Sequence, residues 1–288
     1  MDTITRIEQA LANAIGHAEA PGCPPRLVAA MRHAVFPRGA RIRPRLCLAV
    51  AMACGDEEPS SSTAAATAIE LLHCASLVHD DLPCFDDADT RRGLPTVHKA
   101  FGECLAVLTG DALIVLAFQT MARISPTPRN LGNLLLSISA GVGTPSGIVA
   151  GQAWECETVV DLSNYHRLKT GALFAAATMA GAAAAAADPA DWRALGEKIG
   201  EAFQVADDIR DVTDTSTELG KPSGRDAALG RPSAVHELGL QGALQRLEQL
   251  VGGAIASIPP CRGAAELRAL IMLEAKRLVP AKLAQRAA

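Results

Sequence analysis

The chain has 288 residues, 49% hydrophobic and 20% charged, which supplies a sizeable core and excludes wholesale disorder or a disulfide-stapled miniprotein. With 27 Lys and Arg against 31 Asp and Glu, the net charge of −4 argues against a nucleic-acid-binding surface spread over the fold, while leaving room for a local basic pocket. Aromatic residues make up only 3%, and the apolar content leans on Ala and Leu, the strongest helix formers, so an all-α protein is expected.

The first twenty residues, MDTITRIEQALANAIGHAEA, carry acids and no continuous apolar stretch, so no secretory signal is expected. Short Pro/Gly-rich points at 21–25, 54–59, 125–128 and 259–263 read as turns between helices. None reads as a linker, and a single domain over 1–288 is expected. Eight cysteines at 23, 47, 54, 74, 84, 104, 156 and 261 form no CxxC pair, which suits reduced thiols in a cytoplasmic protein better than zinc or a disulfide framework. The segment RGARIRPRL gathers Arg38, Arg41, Arg43 and Arg45 into one basic patch closed by Pro44.

From Ala68 the pattern is helical to about Leu82, where Pro83 disfavours continuation. His73 and Asp80, seven apart, share one face of that helix. Asp80, Asp81, Asp86, Asp87 and Asp89 then place five carboxylates in ten residues, followed at once by Arg91 and Arg92. His79 lies on another face and is given no role, and Cys84 is expected to fill space. The uncharged run between Arg129 and Glu155 has the length of a membrane span. Gly132, Gly141, Gly143, Pro145, Ser146 and Gly147 punctuate it, so a buried helix, a turn and a new helix are predicted, and no membrane span. Lys169–Thr170–Gly171 sets a cation beside a hydroxyl, and Ala182–Ala187 reads as buried helix where two backbones approach closely.

A second acidic cluster ends the helix GEAFQVADDIRDVTD, with Gln204, Asp207, Asp208 and Asp211 at i, i+3, i+4 and i+7 on one stripe. Lys221, Arg225 and Arg231 follow it. An acidic run is ordinarily a solvated face. Here each begins where a strongly apolar helix ends, and each is trailed by cations. Neither contains the DxDxDG loop of a calcium hand. Magnesium, which takes a few carboxylates plus waters and phosphate oxygens, suits two clusters facing one phosphorylated ligand, and arginine forks suit its diphosphate.

At these residues the sequence resembles the trans-isoprenyl diphosphate synthases of the polyprenyl synthetase family. HDDLPCFDDADTRRG is similar to the family's first Asp-rich motif and FQVADDIRD to its second, with KTG between them and GK after. The resemblance implies an all-helical homodimer around a deep central cavity. It makes Asp80, Asp86, Asp207 and Asp211 ligands of Mg2+, with Asp81 in the catalytic set. It assigns the allylic diphosphate to Arg91, Lys169, Lys221 and Arg231, isopentenyl diphosphate to Arg43, His73 and Arg92, and the neighbourhood of the reacting carbon to Thr170 and Gln204. The family's GGKRxRP is here RGARIRP, so Ala40 stands where a lysine is usual, and Arg38 or Arg41 is a candidate to compensate.

Small Ala75 and Ser76, just before Asp80, leave the floor of the chain-elongation cavity open. With the Leu82–Pro83 insertion, this resembles carotenoid-pathway geranylgeranyl diphosphate synthases of bacteria and implies a C20 product. A farnesyl (C15) synthase and a non-catalytic partner subunit are the alternatives. A terpene cyclase is opposed by the intact second motif and the scarcity of aromatics.

Overall fold

A computed structural model of the chain describes residues 2–37, 39–57, 59–125, 127–158, 167–213 and 233–278. The fold is all-α, and it clusters into two compact units, residues 1–138 with 179–189, and residues 139–178 with 190–288.

In the first unit, α1 (Thr3–Ala18) starts under an Asp2 cap that accepts from Ile4 N at 3.4 Å and Thr5 N at 3.2 Å. It is followed by α2 (Pro25–Val35), α3 (Ile42–Cys54) and α4 (Pro59–Asp80). A two-residue hairpin pairs β1 (Thr90–Arg91) with β2 (Leu94–Pro95), and α5 (Val97–Phe101) and α6 (Glu103–Ala122) follow. Helix α4 packs along α6. The join is sealed by Val78, Leu82, Val97 and Ala106 with Ala30 of α2. Gly110 of α6 lies so close to His79 that a Cβ there would overlap the imidazole. Helix α4 stops at Asp80, two residues before the predicted end, because Leu82 N–H already turns back to the His79 carbonyl at 3.1 Å.

The predicted helix, turn and helix between Arg129 and Glu155 are present as α7 (Leu131–Val142) and α8 (Ile148–Ala153). A π-helical turn (Arg167–Gly171) leads into α9 (Ala172–Ala184), whose C-terminal turns belong to the first unit. Of the Ala-rich stretch expected as buried helix, only Ala182–Ala184 are, and Ala185–Ala187 turn, with Ala186 at φ of +58°. The close backbone approach falls just before it, at Gly181, which sits against the Cys47 carbonyl with no room for a Cβ.

The second unit centres on α10 (Arg193–Thr213), which packs along α11 (Ala234–Ala256) through Ala202, Val205, Ala206 and Ile209 against Ala243, Leu247 and Leu250. Phe203 stacks on Phe174 of α9 at 4.9 Å. Helix α12 (Ala264–Leu278) ends the described chain. Among the described residues only α6 has the length and apolar composition of a membrane span.

Candidate active site

The first acidic segment folds back over the C-terminus of α4. Asp86 N–H donates to the Asp80 carbonyl at 3.0 Å and Ala88 N–H to the Asp81 carbonyl at 3.2 Å, so six residues after leaving the helix the chain returns to its end. Asp80 and Asp86, both half-buried, belong to one closed turn. Asp81 is different. Its carboxylate is buried and accepts from Arg91 Nε at 3.0 and 3.2 Å and also from Arg91 Nη2. Burial pushes the Asp81 carboxyl above its ordinary range, and Arg91 opposes that shift. Asp81 therefore anchors Arg91. Cys84, expected to fill space, is exposed on this segment instead.

The RRG sequence has a conformational reason. Arg92 and Gly93 are the two central residues of the β1–β2 hairpin, with φ of +54° and +78°, the pair of left-handed values that a two-residue turn matched to strand twist requires. Arg91, on the strand, reaches Asp81. Arg92, on the turn, points elsewhere: its Nη1 donates to the Pro37 carbonyl at 3.2 Å, and its guanidinium lies over Gly39, where a Cβ would meet Cζ at 2.7 Å.

Arg92 belongs with Arg43 and His73. Arg43 Nη1 donates to His73 Nε2 at 3.4 Å. An arginine cannot accept, so Nε2 is the bare nitrogen and the ring carries its proton on Nδ1. Burial, then the charges of Arg43, Arg92 and Arg91, hold the His73 pKa well below the ordinary imidazole value. Three residues predicted to share a ligand thus share one electropositive cluster.

Arg41, one of two candidates to replace the missing lysine, is committed elsewhere. Its side chain is 1% exposed, and it donates to Glu70 Oε1 at 2.6 Å, to Glu8 Oε1 at 2.9 Å and to the Val35 carbonyl at 2.7 Å. Removing one partner of so buried a pair costs about 3–5 kcal/mol, so Arg41 ties α3 to Glu8 of α1, Val35 of α2 and Glu70 of α4 and does not reach toward a ligand. Arg38 lies outside the described residues.

In the second unit, α10 separates what the sequence pattern grouped. Asp207 is exposed with Arg210 Nη1 at 3.9 Å, and Asp211 is half-buried. Asp208 is buried and splits its carboxylate: Oδ1 accepts from Gln204 Nε2 at 3.0 Å and Oδ2 from Ala234 N–H, the first residue of α11, at 2.8 Å. The Gln204 carbonyl, held from behind, accepts from Thr170 Oγ1 at 2.9 Å. Gly200, one turn before Gln204, makes this possible, because a Cβ there would meet Gly171 Cα at 2.6 Å. The π-helical turn thus lies directly on α10, with Thr170 brought to Gln204. Lys169 of the same turn pairs with Glu155 Oε1 at 2.6 Å. Ala75 is fully buried on α4, and Ser76 Oγ donates to the His73 carbonyl at 2.9 Å. Lys221, Arg225 and Arg231 lie outside the described residues.

Among the described residues no three His, Cys, Asp or Glu side chains form a ready metal cage. A pair of carboxylates on a closed turn, with nearby arginines to receive phosphate oxygens, is the donor set that magnesium uses when substrate completes its shell. The residues present fit that ion.

Two buried supports carry no distinguishing mark in the sequence: Glu70 is hidden within an apolar helix run, and Asp208 looks like its neighbours in one acidic stripe. Gly196 and Gly200, four apart, were the available sign of a close helix contact at that point.

A helical fold with two aspartate-bearing helix ends, one backed by an arginine hairpin and the other by a Thr–Gln–Asp relay, defines a class of enzyme that handles diphosphates. The polyprenyl synthetase family model matches residues 24–258, and the chain belongs to that family. It is 54% identical over 282 residues to a geranylgeranyl diphosphate synthase of Cereibacter sphaeroides, covering 98% of each chain. It is 49% identical over 275 residues to one of Rhodobacter capsulatus, covering 95% of each. A geranyltransferase of Helicobacter pylori, solved with magnesium and isoprenyl diphosphate, has a TM-score of 0.82 at 30% identity over 96% of each chain.

Proposed function

We propose that this polyprenyl synthetase joins isopentenyl diphosphate head-to-tail to dimethylallyl, geranyl and farnesyl diphosphates, ending at geranylgeranyl diphosphate (C20). The observation that carries the chain length is the 54% identity, over 98% of both chains, to a protein named for that product. Small, buried Ala75, five residues before Asp80, supports an open floor. Residues 1–288 form one catalytic domain in this reading, supported by a family match that runs across both compact units.

Asp80 and Asp86 from one motif and Asp207 and Asp211 from the other hold magnesium, which when bound supplies charge that stabilises a departing diphosphate. Arg91, Lys169, Lys221 and Arg231 hold the allylic diphosphate, with Arg91 aimed by Asp81. The allylic C–O bond breaks with its electron pair leaving on diphosphate. The double bond of isopentenyl diphosphate, held by Arg43, neutral His73 and Arg92, then attacks the cation, and the C2 proton leaves to the released diphosphate. Fixed cations and dipoles perform this work without reorganising at the moment of reaction. Thr170 and Gln204 stand beside the reacting carbon, pre-oriented by Asp208. The enzyme works in the cytoplasm, a reading its eight free cysteines support, and as a homodimer, supported by the exposed Val107, Leu108 and Val115 of α6.

Purified chain with magnesium, isopentenyl diphosphate and each allylic primer tests the proposal by chromatography of the dephosphorylated products. A C20 alcohol from the farnesyl primer is expected. A product ending at C15 makes it a farnesyl synthase, and no turnover with any primer makes it a partner subunit.

A further inference from the structure

The segment that presents Asp86 has a support outside both acidic motifs. Thr96 Oγ1 donates to the Ala88 carbonyl at 2.7 Å, and Thr96 N–H donates to the Asp89 carbonyl at 3.0 Å. The hydroxyl has one proton, spent on Ala88, so its 3.1 Å contact with His98 Nδ1 makes the imidazole the donor. His98 therefore carries its proton on Nδ1. Its side chain is 3% exposed, and Nε2 is buried with no hydrogen-bond partner among the described residues, 3.6 Å from Asp87 Oδ1. Asp87 has φ of +41°, a left-handed conformation uncommon among non-glycine residues, though Asp adopts it more readily than most. Lys99, one residue on, reaches Asp87 at 3.3 Å and Asp89 at 3.0 Å from the solvent side. A buried hydroxyl is thus spent on the backbone of residues 88–89 and a buried imidazole on that hydroxyl, immediately after Asp86.

We propose that Thr96 and His98 are positioning residues of the first metal site: by pinning the Ala88 carbonyl they fix where Asp86 stands relative to Asp80, and so the affinity for a divalent cation. This rests on reading Asp80 and Asp86 as magnesium ligands. Supporting residues of this kind cost about 10–100-fold in metal affinity when removed.

Mn2+ serves as the probe, counted by the paramagnetic resonance of the unbound ion in the presence of inorganic diphosphate. Thr96→Val and His98→Leu should each weaken Mn2+ binding about tenfold or more, and Thr96→Ser should restore it. His98→Asn, whose amide nitrogen replaces Nδ1–H, should stay within about threefold of the parent. A purely structural role would lower the melting temperature and leave Mn2+ affinity unchanged in the folded variants, which overturns the proposal. Should the disruptive variants not fold, the parent protein decides: long-range proton–nitrogen spectra should show His98 protonated on Nδ1, and the other tautomer sinks the network. Failure of the parent itself to bind Mn2+ with diphosphate counts against the functional reading, which the tautomer measurement does not touch.

Discussion

His73 is buried among arginines, and burial together with that charge field makes its protonation a stability term. The folded state keeps its pKa well below the ordinary value, so between the two the unfolded chain binds the extra proton. The neutral ring's stabilisation is complete above about pH 6.5 and is lost as the pH falls below it, at up to about 1.4 kcal/mol per pH unit. Thermal melts from pH 7.5 to 5 should therefore decline more steeply for the parent than for His73→Gln, and equal slopes would refute a neutral His73. At Ala75 the issue is volume. Ala75→Phe, inserted into a buried position on α4, should shift the major product from C20 toward C15 with turnover retained, and an unchanged chain length in product chromatography places the floor elsewhere. The sequence made Asp80, Asp86, Arg43, His73 and Arg92 recognisable, because spacing and charge survive without coordinates. It could not separate Asp81 from Asp80 or Asp208 from Asp207, since adjacent carboxylates look alike until one of each pair is buried against Arg91 or against Gln204 and the start of α11.

Between elements, the decisive contact in the second unit is the π-helical turn 167–171 on α10. Gly200→Ala would push a methyl onto Gly171 Cα, and overpacking of this kind costs about 1–3 kcal/mol. The expected outcome is a fall in kcat of about tenfold, since a misplacement of about 1 Å at a reacting group costs more than that, with a smaller change in the KM for the allylic primer. A kcat equal to the parent's would show that the Thr170–Gln204 bond has no bearing on the chemistry. The helices themselves were legible from an Ala/Leu-rich, aromatic-poor composition and from Pro and Gly punctuation. The β1–β2 hairpin was not, because strands of two residues have no period to read. Its only trace is the Arg92–Gly93 pair, which demands positive φ.

For the molecule as a whole, the family match covers 235 residues, from 24 to 258, and passes through both compact units. The outward side of α6 carries Val107, Leu108 and Val115 at 42–55% exposure. If that face joins two copies, Val115→Lys should convert the dimer to a monomer in sedimentation equilibrium, and a dimer that survives the change moves the contact elsewhere. The same helix, on its inner side, seats His79 against Gly110, one residue from Asp80. If α6 is that interface, self-association and the first acidic motif share a single rod. By mass action, specific activity would then be a function of enzyme concentration, falling on dilution as protomers part, so that the amount of protein made would set its catalytic quality as well as its quantity.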